Sequence, residues 1–383
     1  MKFALTGAAA LLITAAPVFA GGIERYNQGL APLFEKGNYV ELGFGHVKPS
    51  VDGTDVAGFD TGNVSNSYNQ IGLAYKHQFT EQLSGLIMLN QPFGADVYYP
   101  TAAEGGSPVL GGTLADVSST HLTGVLRYVM PNNFGVHGGI NIARAKGNVA
   151  LNGAAYGPVA GYEVDLDDDT AAGWLAGVSW EKPEIAARVS LTYHSEIDHE
   201  LDTVEQGPLI DPDGPGPAPF LPLLDAESVT KVSTPKSWTL DFQTGVAEDT
   251  LVFGSIRWVD WSSFKVDPKQ FVAVTGGGLV ELDDSTTYTL GVGRKLTEEW
   301  SMAGSISWEK KGDDLVSPLA PTNGRVGVSL AGIYTRNNMK ITTGINYTKL
   351  GDAKPETGTP DTQRAEMTGN HAWGVGVRVG YSF

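Results

Sequence analysis

The sequence predicts an all-β fold, a transmembrane antiparallel up-and-down β-barrel of fourteen strands preceded by a short N-terminal plug segment. Three observations carry this. Extended runs alternate apolar with small or polar residues at period 2. The connections between them alternate between tight turns and long loops, the asymmetry of outer-membrane barrels. Beyond the leader there is no run of eighteen apolar residues from which a membrane helix could be built.

Residues 1–20 read as an export leader: Lys2 supplies a positive start, Phe3 to Ala16 an apolar stretch, and Val18-Phe19-Ala20 a small-residue cleavage site that favours removal over a retained anchor. Residues 21–37 form the plug segment, whose Ile23, Tyr26, Leu30, Leu33 and Phe34 offer apolar anchors for a lumen wall. Residues 38–383 form the barrel.

Its fourteen runs are 38–49, 65–79, 82–91, 114–130, 133–148, 162–180, 184–199, 232–246, 249–262, 284–296, 299–310, 324–335, 338–349 and 371–383. A tilted strand needs about ten residues to cross the hydrocarbon, and these runs suffice. Tight turns are expected at Thr80-Glu81, Pro131-Asn132-Asn133, Lys182-Pro183, Ala247-Glu248-Asp249, Thr297-Glu298-Glu299 and Arg336-Asn337-Asn338. Long loops are expected at 50–64, 92–113, 149–161, 200–231, 263–283, 311–323 and 350–370. A soluble sandwich has no reason to sort its loops to one end.

Within each run one parity suits lipid and the other a lumen. In the last run Trp373, Val375, Val377, Val379, Tyr381 and Phe383 share a face, opposite Ala372, Gly374, Gly376, Arg378, Gly380 and Ser382. Trp174, Trp180, Trp238, Trp258, Trp300, Trp308, Tyr193 and Tyr347 fall near run ends and fit interfacial girdles, with core packing as the alternative. The terminal Phe383 resembles the signal by which such barrels are recognised for insertion.

Composition narrows the function. Cysteine is absent, so disulfides and thiolate metal sites are excluded. Acids outnumber bases, 43 to 26, and losing Lys2 with the leader takes the formal net charge from -17 to -18, which argues against nucleic acid as a partner.

Asn90-Gln91-Pro92-Phe93-Gly94-Ala95-Asp96-Val97 at the end of the third run, Tyr193-His194-Ser195-Glu196-Ile197-Asp198-His199 at the end of the seventh, the count of fourteen and the short segment ahead of the first run together resemble the FadL and TodX transporters of long-chain fatty acids and hydrocarbons. The resemblance runs over essentially the whole mature chain. It implies passive uptake of hydrophobic molecules across the outer membrane of a Gram-negative bacterium, with a kinked third strand whose gap, here Pro92, Phe93, Gly94 and Ala95, lets the cargo leave sideways. Pro lacks a ladder donor and Gly tolerates irregular backbone, which agrees; a plain strand end before a loop is the alternative. The Asn-Pro-Ala plug motif of better-known members is missing, which leaves gating by the plug open.

A carboxylate-bearing cargo needs a cation in the lumen. The lumen parity carries Lys76, Arg127, Arg188, Arg257 and Arg378, of which Arg188 and Arg257 are the expected carboxylate partners, against ion pairing with acids such as Asp241 or Glu309. A greasy capture site is expected on the outer loops at Tyr98, Tyr99, Leu110, Phe220, Leu221 and Leu224, against loops that pack together and close the mouth.

Asp165, Asp167, Asp168 and Asp169, and Asp211 with Asp213, lack calcium-loop spacing and read as solvated acidic loops, with divalent bridges to lipopolysaccharide left open. Gly276-Gly277-Gly278 is a loop tip rather than a phosphate cradle, having no Lys-Ser/Thr after it. His194 and Ser195 point to opposite faces of a strand and cannot form a catalytic pair, so no enzyme is expected. No cofactor or metal is implied. A monomer surrounded by lipid and lipopolysaccharide is expected, with a water-filled porin or a structural or adhesive surface barrel as the rival functions.

Overall fold

The structure, a computed structural model, describes residues 23–208, 222–358 and 360–383. Fourteen antiparallel strands form one closed barrel: β1 (Tyr39–Ser50), β2 (Tyr68–Gln78), β3 (Leu83–Asn90, resuming at Gly94–Tyr98), β4 (Leu114–Val129), β5 (Phe134–Leu151), β6 (Tyr162–Lys182), β7 (Ala187–His194 and Ile197–Gln206), β8 (Ala226–Thr234 and Ser237–Ala247), β9 (Thr250–Val259), β10 (Ser285–Lys295), β11 (Trp300–Glu309), β12 (Arg325–Arg336), β13 (Met339–Leu350) and β14 (His371–Ser382). Each strand pairs with its neighbours in sequence, and β1 closes the ring on β14 from Tyr39↔Ser382 to Ser50↔His371. Closure leaves no free edge, the condition for a sheet to stand in hydrocarbon.

At one end the strands are joined by short turns. Asn133, Asp249 and Asn337 take the left-handed conformation there, which Asn and Asp tolerate better than other side chains. At the other end the loops are long, and the loop after β9 carries a short helix α1 (Lys269–Thr275).

Residues 23–38 run inside the barrel. Ile23, Leu30, Leu33 and Phe34 are buried, and the latter three pack on the inward faces of β2, β3, β4 and β6 through Ala74, Leu86, Met88, Val125 and Leu175. Lys340 of β13 pairs with Glu35, while Lys76 of β2 donates to the carbonyls of Glu35 (2.6 Å) and Gly37 (3.1 Å). The segment is therefore held by strands on either side of the ring.

Two strand limits differ from the sequence expectation. The strand β7 continues to Gln206 and β8 begins at Ala226, so the connection between them is shorter than 200–231. The acids at 165–169 lie in the strand β6, within the expected run 162–180, and not in the solvated loop that their spacing also suggested. Both differences have one cause. In the outer part of the barrel the polarity of the two faces inverts: Tyr162, Val164, Leu166, Ile197 and Leu201 point inward and are buried, while Glu163, Asp165, Asp167, Asp198 and Glu200 face out. There the outer wall meets water, so charges go outside and the apolar set lines the interior. Charged alternation reads as a loop if lipid is assumed on the outside.

Closer to the short turns the outer face is apolar, with Leu42, Phe44, Ile71, Leu122, Ile140, Val178, Leu290 and Val375 exposed. Aromatic pairs cap this band. Tyr193 lies between Trp174 (5.1 Å) and Trp238 (4.9 Å), Tyr288 stacks on Trp308 (5.5 Å) and Tyr347 meets Trp373 (4.8 Å), whereas Trp300 and Tyr334 (5.0 Å) lie near the short turns. Rings of this kind sit where hydrocarbon meets headgroups.

Candidate lateral opening and lumen

The ladder between β2 and β3 runs from Gln78↔Ser84 to Leu73↔Leu89 and then stops. Beyond it, Tyr68 to Gly72 of β2 pair only with β1. The strand β3 leaves its regular path at Gln91-Pro92-Phe93 and resumes at Gly94 on β4 alone, where Asn90↔His121 and Gly94↔Ser118 bracket three residues against two. The chains rejoin further out, through Asn66 N to Asp96 O (3.0 Å) and Tyr98 N to Val64 O (2.8 Å). Between these limits the wall has a seam without ladder bonds. Pro92 cannot donate to a ladder, and a non-pairing residue at this place is tolerated because another chain segment supplies partners.

That segment is the N-terminus. The amides of Arg25 and Tyr26 donate to the Pro92 carbonyl (2.7 and 3.1 Å), the Gly94 amide donates to the Ile23 carbonyl (2.8 Å), and Glu24 bridges Phe93. From the other side Ser119 accepts the Phe93 amide (3.0 Å). The Arg25 guanidinium stands 4.3 Å over the Tyr68 ring, and a Cβ at Gly94 would lie 2.8 Å from it. Glycine at 94 thus makes room for a cation that spans the seam from β3 to β2. Phe93 turns inward, edge-on to His121 (5.6 Å) and Trp261 (5.7 Å).

Next to the sealed stretch lies a cavity of about 90 Å³ that straddles the wall. Tyr26, Gly72, Ala74, Met88 and Asn90 line it from the lumen, and Phe44, Ile71, Leu89 and Val377 from the lipid side. Pro92, Phe93, Gly94 and Ala95 are all buried at the rim of the same seam.

The lumen cations are engaged by the chain itself. Arg257 donates to Glu24 (2.7 Å from Nε), to Gln28 (3.1 Å), Ser237 (3.1 Å) and Thr239 (2.9 Å), with both charged side chains almost fully buried. Arg188 and Arg127 both stand over the Phe34 ring, 4.3 and 4.5 Å from its centroid, and Arg127 also pairs with Glu181. Arg378 pairs with Glu41 (3.2 Å) and Arg325 with Glu309 (3.1 Å). Arg188 and Arg257 therefore anchor the N-terminal segment, and a cargo carboxylate at Arg257 would have to displace Glu24. The sequence alternative of an ion pair within the lumen describes Arg257, although the partner is Glu24 rather than Asp241 or Glu309. Nothing in the sequence marks Glu24, which lies 233 positions away.

The outer-loop expectation needs a correction. Tyr99, Leu110 and Leu224 are fully buried in the large apolar cluster under the loops, and the Tyr99 hydroxyl donates to the Pro318 carbonyl (3.0 Å). Burial pushes the Tyr99 phenol well above its ordinary value. These residues close the mouth instead of presenting surface to water. Tyr98 stays half-buried and donates to Glu104 (2.7 Å), whose carboxyl is held below the ordinary range by the Thr101 amide and by the Tyr98 and Thr101 hydroxyls. Phe220, Leu221, Asp211 and Asp213 lie outside the described residues. Among the described residues no group of acids and histidines is disposed to hold a metal ion.

The outer interior holds a second cavity of about 1320 Å³ beneath the long loops, lined by Phe271, Leu279 and Leu319 and by many carboxylates.

Comparison with known proteins gives this architecture a family. A family model described as outer membrane protein transport protein (OMPP1/FadL/TodX) matches residues 36–383. A crystal structure of a Pseudomonas aeruginosa FadL homologue superposes with a TM-score of 0.71 at 16% identity, covering 92% of each chain. The Pseudomonas putida toluene transporter TodX gives 0.61 at 14% identity, over 91% of this chain and 90% of that one. The Ralstonia pickettii toluene transporter TbuX gives 0.61 at 11%, over 92% and 90%. At these identities the structures speak for the fold. No curated protein matches. On the family match over nearly the whole barrel, this chain belongs to the OMPP1/FadL/TodX family of outer-membrane transporters of hydrophobic compounds.

Proposed function

We propose that the protein passes lipophiles inward without an energy source and releases them sideways into the bilayer through the seam between β2 and β3. The observation that carries this is the interrupted ladder from Leu73↔Leu89 outward, together with a cavity lined by both lumen and lipid residues at that place. A molecule leaving there meets hydrocarbon and avoids the polar lipopolysaccharide layer. The structural neighbours described as toluene transporters carry cargo of the same broad class. A water-filled porin for polar solutes fits poorly with an N-terminal segment lodged in the lumen by Leu30, Leu33 and Phe34.

The test closes the seam in two ways. Gly72 faces the cavity and a Cβ there meets nothing within 4 Å, so Gly72→Phe fills the space without straining the wall. Ile71→Cys with Gln91→Cys ties β2 to β3 in a chain that has no other cysteine. Both variants should assemble as heat-resistant barrels and lose hydrophobe uptake, and dithiothreitol should restore it in the second. Undiminished uptake in the two assembled variants rejects sideways release.

A further inference from the structure

Asn90 and His121 face each other across the last β3–β4 rung before the break. Both point into the lumen, 6% and 1% exposed, and Asn90 also lines the seam cavity. Asn141 Nδ2 donates to His121 Nδ1 (2.9 Å), and the Thr123 hydroxyl donates to Asn141 Oδ1 (3.3 Å). With the amide so placed Nδ1 accepts, and the neutral imidazole carries its proton on Nε2. That Nε2 has no partner among the described residues, and neither has Asn90 Oδ1. Two cross-strand partners at the inner end of the seam thus carry a donor and an acceptor without partners among the described residues. His137, His194 and His199 each keep a buried ring nitrogen without a partner among the described residues. Unsatisfied buried groups are rare in folded proteins and call for a reason.

The charges of the lumen point the same way. Arg257, Arg127, Arg325, Arg378 and Lys340 are each paired with a carboxylate of this chain. The outer cavity has nine carboxylate residues in its lining, Asp283, Asp284, Asp313 and Asp314 among them, against Lys265 and Lys310. An anion approaching through it meets like charge with little to offset it. At the seam it meets the Asn90 carbonyl and, in the same cavity, an Arg378 already paired with Glu41 (3.2 Å).

We infer that Asn90 and His121 form a subsite for an uncharged hydroxyl-bearing lipophile, whose hydroxyl donates to Asn90 Oδ1 and accepts from His121 Nε2–H. This rests on the transport reading and names the cargo class for it. A hydrocarbon leaves both groups unsatisfied, and a carboxylate satisfies only the donor.

Cells lacking their own uptake route and expressing the full chain are given radiolabelled 1-decanol, decane or decanoate at equal concentration and pH 8. Wild type takes up decanol in preference to both. Asn90→Leu and His121→Leu each lower the ratio of decanol to decane uptake by roughly tenfold, the worth of about one buried hydrogen bond. His121→Gln, whose amide can donate from nearly the same place, keeps the ratio near that of wild type. Heat-modifiable migration verifies that each barrel is assembled. A ratio that stays constant through both leucine variants, or decanoate entering fastest, overturns the subsite and leaves the transport reading standing. Exclusion of all three compounds by the assembled wild type overturns the transport reading, and the subsite falls with it.

Discussion

Replacing Glu24 by glutamine removes the only carboxylate that the buried Arg257 pairs with among the described residues. The pair is almost fully out of water, 4% and 0% exposed, so little solvent can make up for the lost charge. Breaking a buried pair from one side costs about 3–5 kcal/mol. Gln28, Ser237 and Thr239 still accept from the guanidinium, and glutamine retains an acceptor, so the lower end is expected, about 3 kcal/mol. That corresponds to roughly a hundredfold shift in an equilibrium. The loss falls on the seating of residues 23–26 rather than on the barrel, whose ladder does not involve Glu24 except through its bridge to Phe93.

Hydrogen exchange in detergent or bilayer discs reads this directly. The amides of Arg25, Tyr26 and Gly94 owe their protection to the contact between the N-terminus and the kink, and in Glu24→Gln they should exchange about a hundredfold faster while strand amides stay protected. Replacing the pair as a whole, Glu24→Leu with Arg257→Met, leaves no orphan charge and should return much of the protection. Unchanged exchange in Glu24→Gln, or a double variant as loose as the single one, refutes the view that this ion pair seats the segment.

Other regions make sharp predictions as well. Phe34→Ala removes the ring that Arg127 and Arg188 both contact and should cost the segment about 3 kcal/mol, seen as faster exchange at Leu33 and Glu35 with an unaltered barrel. Glu205→Ala removes the buried carboxylate that accepts from the Tyr162 hydroxyl (2.9 Å) and from the Gln270 and Phe271 amides (2.9 and 2.7 Å). It should free the helix α1 from the wall, at about 2 kcal/mol, with exchange at those two amides as the readout. Trp238→Ala takes away the ring tilted against Tyr193 on the lipid face and should reduce the stability of the folded barrel in bilayers by about 1 kcal/mol, with Trp238→Phe recovering part of it.

The pattern of strands was legible because a membrane barrel imposes it locally. Each strand must show apolar residues to lipid at every second position, so runs such as Trp373 to Phe383 announce both their conformation and their outer face. The same rule misled where its premise lapsed. Above the bilayer Ile197, Leu201 and Tyr162 turn inward and their charged neighbours face water, and the periodicity persists with its meaning reversed. Tyr99, Leu110 and Leu224 illustrate a related limit, since an apolar loop residue reads alike whether it greets a cargo or packs beneath another loop.

Residues 90–97 show the division most sharply. Their composition agreed with an irregular stretch in β3, because proline withholds a donor and glycine admits an unusual path, but a plain strand end before a loop read equally well and the kink came from the family resemblance. Which neighbour loses its ladder, and that Arg25, Glu24 and Ile23 arrive to satisfy the freed groups, depends on contacts between positions some seventy apart in sequence and, for Glu24 with Arg257, 233 apart. Alternation and turn chemistry are properties of adjacent residues, so the chain by itself determined the number of strands and the side that faces lipid. Pairing of buried charges and the orphaned Asn90 and His121 arise only when distant segments share one enclosed, water-poor space, and that the tertiary structure decided.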